Sequence, residues 1–180
     1  MIVCVFNVTD ISEPTRIVGY TDSPDIDNTS EFSRIEIDGV ILPQVVHEYQ
    51  FESTGLHTVK YLLVNDGIYL DGTLNNIPAV SIKFPYTLKY VSLWSISSLI
   101  LESIDLNSVE VLKGSCIAFT QLNSVYIPKT VTQYGEDAGG GYKTPLGGSV
   151  LSITVDPDNP IYDSRNNCNA VIETNTNTLL

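Results

Sequence analysis

Leu122–Gly135, LNSVYIPKTVTQYG, decides the fold, because the unit at its centre recurs along the chain. Serine-apolar-x-apolar appears as Ser81-Ile82-Lys83-Phe84, Ser103-Ile104-Asp105-Leu106, Ser124-Val125-Tyr126-Ile127 and Ser152-Ile153-Thr154-Val155. The serines are 22, 21 and 28 positions apart. One short strand per unit at a period in the twenties is the pattern of a stacked repeat, in which each unit buries its apolar face only against a neighbour. Alternate side chains of a strand point to opposite faces. Ile82/Phe84, Ile104/Leu106, Val125/Ile127 and Ile153/Val155 are therefore expected inward, each full burial contributing roughly 1.5–3 kcal/mol. The residues between them, Lys83, Asp105, Tyr126 and Thr154, are expected outward.

Working outward from that unit, Pro85 and Pro128 close two strands, since proline cannot donate to a ladder. A second short strand is expected in each unit, at Leu88–Val91, Val109–Leu112 and Val131–Tyr134, with Gly114 and Gly135 ending two of them. The long last interval holds Gly135–Gly148, a glycine-rich stretch expected to bulge as an insertion. It lacks the G-x-x-x-x-G-K-[ST] pattern, and Glu136 and Asp137 would repel an anion, so phosphate binding is not expected there. The architecture these signals specify is mainly β: a leucine-rich-repeat-type solenoid of about four to five short-strand repeats over residues 65–180.

Residues 1–64 are expected to form a small β-sandwich-like module that caps the solenoid. Ile2, Cys4, Phe6 and Val8 alternate as a strand, and Asp38-Gly39 between Ser33–Asp38 and Val40–Leu42 is a tight-hairpin signal. His47–Phe51 and His57–Leu63 flank Glu52–Leu56 as a second hairpin, with Tyr49 and Phe51 facing Val59 and Tyr61. Val59 lies 23 positions before Ile82, so Thr58–Tyr61 is expected as a rung ahead of the first clear repeat, adding Lys60 to the outward column.

Composition narrows function. The 21 acidic and 9 basic residues leave a net charge of −12, which would repel a phosphate backbone, so nucleic acid is not an expected partner. No apolar run approaches the roughly 18–20 residues of a membrane span. Met1–Val8 has no basic region before it and no small-residue cleavage site after it. The expected location is the cell surface or the exterior if a leader has been removed, and is otherwise open. The three cysteines, Cys4, Cys116 and Cys168, are odd in number and widely spaced, which fits buried free thiols.

Constellations with chemistry are sparse. His47 and His57 are expected near each other but lack a third ligand at metal spacing. Asp156, Asp158, Asn159, Asp163, Asn166 and Asn167 offer hard oxygen atoms but lack the spacing and bidentate glutamate of a calcium loop. Such residues also dominate turns by bonding nearby amides. No G-x-S-x-G surrounds any serine. No catalytic residue, cofactor or metal is expected. Trp94, Tyr126, Tyr134 and Tyr142 could supply an aromatic binding platform.

Residues 155–180, VDPDNPIYDSRNNCNAVIETNTNTLL, together with LNSVYIPKTVTQYG and GSCIAF (Gly114–Phe119), resemble BspA-like leucine-rich-repeat proteins of the bacterial surface. The resemblance covers roughly residues 56–180. It departs at 65–112, where Asn107 stands in a proline position and the alanine-phenylalanine pair is missing. It implies a non-enzymatic adhesion or recognition module whose protein or glycan partner binds the repeat sheet, with Lys83, Asp105, Tyr126 and Thr154 as the contact residues. Modules with an amino-terminal β domain also resemble accessory proteins of phage particles, which gives a structural assembly component as the alternative. The family pattern continues past the position of Leu180, so the chain is expected to be a fragment. Ala170–Glu173 and Thr178–Leu180 are expected to form a closing hairpin, with self-association through the C-terminal repeat end if they do not.

Overall fold

The computed structural model describes residues 1–19, 28–64, 68–70, 72–97, 100–136, 144–148 and 150–180, and it is mainly β. Among the described residues there is no α-helix, only 3-10 turns at Asn28–Glu31 and Arg165–Asn167. The amino-terminal strands are β1 (Ile2–Val8), β2 (Thr15–Arg16), β3 (Phe32–Ile37), β4 (Val40–Ile41), β5 (Glu48–Tyr49) and β6 (Gly55–Leu63). Twelve further strands follow in four successive triplets. These are β7 (Tyr69–Leu70), β8 (Leu74–Asn75) and β9 (Ala79–Lys83), then β10 (Tyr90–Val91), β11 (Ile96–Ser97) and β12 (Ser103–Asp105). The third triplet is β13 (Val111–Lys113), β14 (Ile117–Thr120) and β15 (Ser124–Ile127), and the fourth is β16 (Gln133–Glu136), β17 (Leu146–Gly148) and β18 (Ser152–Val155). Three short strands close the chain: β19 (Tyr162–Asp163), β20 (Ile172–Glu173) and β21 (Thr178–Leu179).

The first members of the triplets pair in parallel as β7-β10-β13-β16, and the second members as β8-β11-β14-β17. Along the first stack Tyr69, Tyr90, Val111 and Gln133 stand in register. Along the second, so do Leu74, Ile96, Ile117 and Leu146. The third members pair as β9-β12 and β15-β18, with Ser81 opposite Ser103 and Ser124 opposite Ser152. Equivalent apolar positions lie one above another in the interior. Leu88, Val109 and Val131 are buried, as are Phe84, Leu106 and Ile127, and Leu70, Val91 and Leu112. A short strand cannot bury its own apolar side, so the stacking of like on like supplies the core.

Leu146–Gly148 is thus a strand paired in parallel with β14 rather than part of an insertion, while 137–143 and 149 of the glycine-rich stretch lie outside the described residues. Asn107 explains its own departure from proline. Its φ is 47°, which proline cannot adopt, its backbone N–H donates to Asp105 Oδ1 at 3.0 Å, and its side-chain amide donates to the Phe84 carbonyl that follows β9.

The rung expected at Thr58–Tyr61 is not there. β1 inserts antiparallel between β6 and β9, in the order β12-β9-β1-β6-β3-β4, so that Cys4 faces both Val59 and Ile82. Val59 and Ile82 therefore sit two strands apart, and Lys60 is separated from Lys83 by Val3. The reason is the alternation of β1 itself: Ile2, Cys4, Phe6 and Val8 are all buried, and an antiparallel strand with one apolar side satisfies two edges at once. One sheet thus holds β1, β3, β4 and β6 together with β9 and β12.

The second expected hairpin is also corrected. β5 pairs with β2, Tyr49 opposite Thr15, and not with β6. Tyr49 packs edge-on against Phe51 instead, their ring centres 4.9 Å apart. The first hairpin forms as read, with Ile37 opposite Val40 and φ of 49° at Asp38 and 86° at Gly39.

At the other end, the backbone of β18 is met by side chains rather than by a further parallel strand. Asn169 accepts from the Ile153 amide at 2.6 Å and donates to the Leu151 carbonyl at 2.9 Å, as a peptide unit of a paired strand would. Ser164 Oγ accepts from Val155 N at 3.0 Å. The β20–β21 hairpin forms, and β19 joins it. These bonds occupy groups through which an open end would recruit a second chain.

Candidate functional site

Cross-strand register brings the four outward residues together as two pairs. Asp105 stands opposite Lys83 on β12 and β9, and Tyr126 stands opposite Thr154 on β15 and β18. Lys83 Nζ lies 3.6 Å from Asp105 Oδ2, with both side chains at least half exposed. An exposed pair of this kind adds about 0–1 kcal/mol to stability, so its consequence is local charge rather than rigidity. β12 and β15 belong to separate sheets, and the space at the turns that follow them is a groove of about 560 Å³.

Asp105 and Tyr126 line that groove, whereas Lys83 and Thr154 lie beside it. Ile104 and Leu106 give it an apolar wall, and Tyr86, Asn107, Lys129 and Asp156 contribute most of its polar and aromatic rim. Asp105 holds its turn by accepting from Asn107 N, and Asp156 does the same by accepting from Asp158 N at 2.8 Å. The Asp158 amide first and the neighbouring Tyr126 hydroxyl second hold Asp156 below the usual carboxylate range, and the Asp156 carboxylate in turn raises the Tyr126 phenol. The groove combines an aromatic face, two carboxylates, an amide and an ammonium. Neither histidine and no cysteine is among its lining residues. Counting only the middle residue of each strand finds Asp105 and Tyr126 but misses Tyr86, Lys129 and Asp156, which stand in the turns.

The other expected constellations resolve differently. Tyr134 is buried beside Tyr162, whose hydroxyl oxygen accepts from Tyr134 N at 3.0 Å. It forms no platform with the exposed Tyr126, and Tyr142 lies outside the described residues. His57 does not face His47 across a hairpin. Its Nδ1 lies 2.7 Å from Asp38 Oδ2, and its Nε2 lies 2.9 Å from the Ser53 carbonyl oxygen. Cys4 and Cys116 are buried, and burial pushes both thiols far up. Cys168 is exposed, contrary to expectation, because it follows the Arg165–Asn167 turn on the surface.

The Asp and Asn run builds turns. Asn159 Oδ1 accepts from Ile161 N and Tyr162 N, while its Nδ2 donates back to Pro128 O and Val131 O in the turn after β15. Asp163 is held far below the ordinary carboxylate range, chiefly by the Arg165 guanidinium. Among the described residues no group of three His, Cys, Asp or Glu is placed to hold a metal ion, and no helix is long and apolar enough to cross a membrane.

No family model and no curated protein matches the chain. Among solved structures, "The Crystal structure of Pneumococcal vaccine antigen PcpA" is similar at a TM-score of 0.44 and 19% identity, over 52% of this chain and 23% of that one. The chain thus spans less than a quarter of that protein's length.

Proposed function

We propose that the chain is a non-enzymatic recognition or adhesion module whose residues 65–180 form a leucine-rich-repeat-type solenoid of the BspA-like kind, capped by residues 1–64. In this reading a protein or glycan partner is bound through Lys83, Asp105, Tyr126 and Thr154, and the protein works at the cell surface. The parallel stacks support the repeat, since residues one unit apart stand in register from β7 to β18. The observation that carries the functional reading is the juxtaposition of two exposed cross-strand pairs with a groove of about 560 Å³. A column of unlike side chains on a stacked sheet is a surface that can read a partner without chemistry of its own. Asp105→Lys combined with Tyr126→Ala should abolish capture on a printed array of purified matrix proteins and oligosaccharides while leaving the melting temperature in place. Unchanged capture would move the site elsewhere.

A structural role in a phage particle or a surface assembly is the second reading. It is favoured by the edge strand β4, whose Val40 and Ile41 are 67% and 53% exposed at the margin of the six-stranded sheet. A bare apolar edge is a template for pairing. Light scattering that shows a defined oligomer, dissolved by Ile41→Lys, would favour this reading over the first.

A further inference from the structure

We propose that the groove at the turns after β12 and β15 is a subsite for a neutral sugar ring of a glycan, an inference that rests on the recognition reading above. Its volume, about 560 Å³, suits a ligand of one or two rings rather than a protein surface, which needs a contact of roughly 800 Å² from each partner. Two tyrosines of its lining are open to solvent, Tyr86 at 75% and Tyr126 at 51%. An exposed aromatic face takes the apolar C–H side of a pyranose, while the hydroxyls at the ring's rim need both donors and acceptors. Asp105 and Asp156 supply acceptors, and Asn107 and Lys129 supply donors.

Charge selects the neutral class. The chain as a whole carries −12, yet the groove sets Lys129 against its two carboxylates, and Lys83 lies 3.6 Å from Asp105. Each carboxylate is already partly engaged, Asp105 by Asn107 N and Asp156 by Asp158 N. A carboxylate has about four acceptor positions, so room remains for a sugar hydroxyl. Lys129 and Lys83 offset most of the negative charge that would hold an ammonium, and Asp105, Asp156 and the nearby Asp158 disfavour a sulfate or phosphate.

The test is an NMR titration of the full chain with cellohexaose, laminarihexaose and mannohexaose, beside hexalysine and a heparin hexasaccharide. At least one neutral hexasaccharide should bind with a Kd near about 1 mM, and Tyr126→Ala and Tyr86→Ala should each weaken it at least about tenfold. Tyr126→Phe should keep most of the affinity, and Tyr69→Ala should keep all of it. The inference is overturned if no neutral sugar binds at about 10 mM, if hexalysine or heparin binds there more tightly, or if the tyrosine variants bind like the wild type. Tyr126-dependent capture of an array protein without sugar binding would remove this inference and leave the recognition reading standing. Failure of both assays would remove both.

Discussion

Asn159→Ala should be among the most damaging single substitutions outside the apolar core, because one side chain ties the turn after β18 to the turn after β15. Its amide group donates to Pro128 O at 3.0 Å and Val131 O at 2.9 Å, and its oxygen accepts from Ile161 N at 2.9 Å and Tyr162 N at 2.8 Å. Each bond contributes about 0.5–1.5 kcal/mol net, and a half-buried site lets water recover part of the loss. The sum is a loss of about 2–4 kcal/mol, a large share of the roughly 5–15 kcal/mol that stabilises a domain. At about 2–4 °C per kcal/mol for a chain of this size, the melting temperature should fall by about 4–16 °C. Asn159→Asp separates the two halves of the argument. It keeps the acceptor for the two amides but turns a carboxylate oxygen toward two carbonyls, so it should be no better than alanine at neutral pH. Urea denaturation of the three proteins decides the matter. A loss below about 0.5 kcal/mol for Ala, or rescue by Asp, would refute the reasoning, since the bonds between the two turns would then be dispensable.

Other substitutions and conditions test different parts. Gly19→Ala should destabilise strongly or prevent folding, because an added Cβ would stand 2.4 Å from both the backbone N and O of Asn75, and calorimetry of a variant that melts like the wild type would contradict the packing. Asn169→Ala should open the edge of β18, measured as a rise in dimer or aggregate by light scattering and faster exchange at the Ile153 amide. A thiol reagent should modify Cys168 alone in the native protein and Cys4 and Cys116 only after unfolding, and rapid native labelling of more than one thiol would argue against the buried positions. The His57–Asp38 pair should give a pH signature. The Asp38 bond raises the His57 imidazole above 6.5, so its contribution is full below that value and is lost as pH rises through the raised one. For Asp38, burial works upward, but the bonds from His57 and the Thr58 amide outweigh it and hold the group below 3.8, so its contribution is lost as pH falls through the lowered value. The stability difference between wild type and His57→Gln should therefore be largest between about pH 4 and 6.5, and a difference that grows toward pH 8 would contradict the assignment.

What the sequence made legible was what repeats. Ser81, Ser103, Ser124 and Ser152 announce themselves by spacing, and the structure pairs the first with the second and the third with the fourth. The Asp38-Gly39 hairpin was legible for a local reason, since two successive residues with positive φ leave few other sequences. Long-range pairing was not. Thr58–Tyr61 has the period of a rung, but a period cannot exclude a strand arriving from 50 residues away, and β1 is that strand. The second strand of each triplet was hidden because Leu74–Asn75 and Ile96–Ser97 are two residues long and show no alternation. At the site, the middle residues of the strands could be read from alternation. Tyr86, Lys129 and Asp156 could not, because turns carry no periodic signal and only the three-dimensional stack brings them beside Asp105 and Tyr126.

The claim at the centre is that the face carrying Lys83, Asp105, Tyr126 and Thr154 does the binding, and comparing two faces of the same stack tests it directly. Asp105→Lys with Tyr126→Ala alters that face, and Tyr69→Ala with Tyr90→Ala alters the parallel stack of first strands, whose rings are similarly exposed. Both proteins, with the wild type, are applied to the same array of purified matrix proteins and oligosaccharides after their melting temperatures are shown to match. The account predicts capture by the wild type and by the Tyr69/Tyr90 variant, and none by the Asp105/Tyr126 variant. Capture that survives in the Asp105/Tyr126 variant, or that is lost only with Tyr69 and Tyr90, would contradict it.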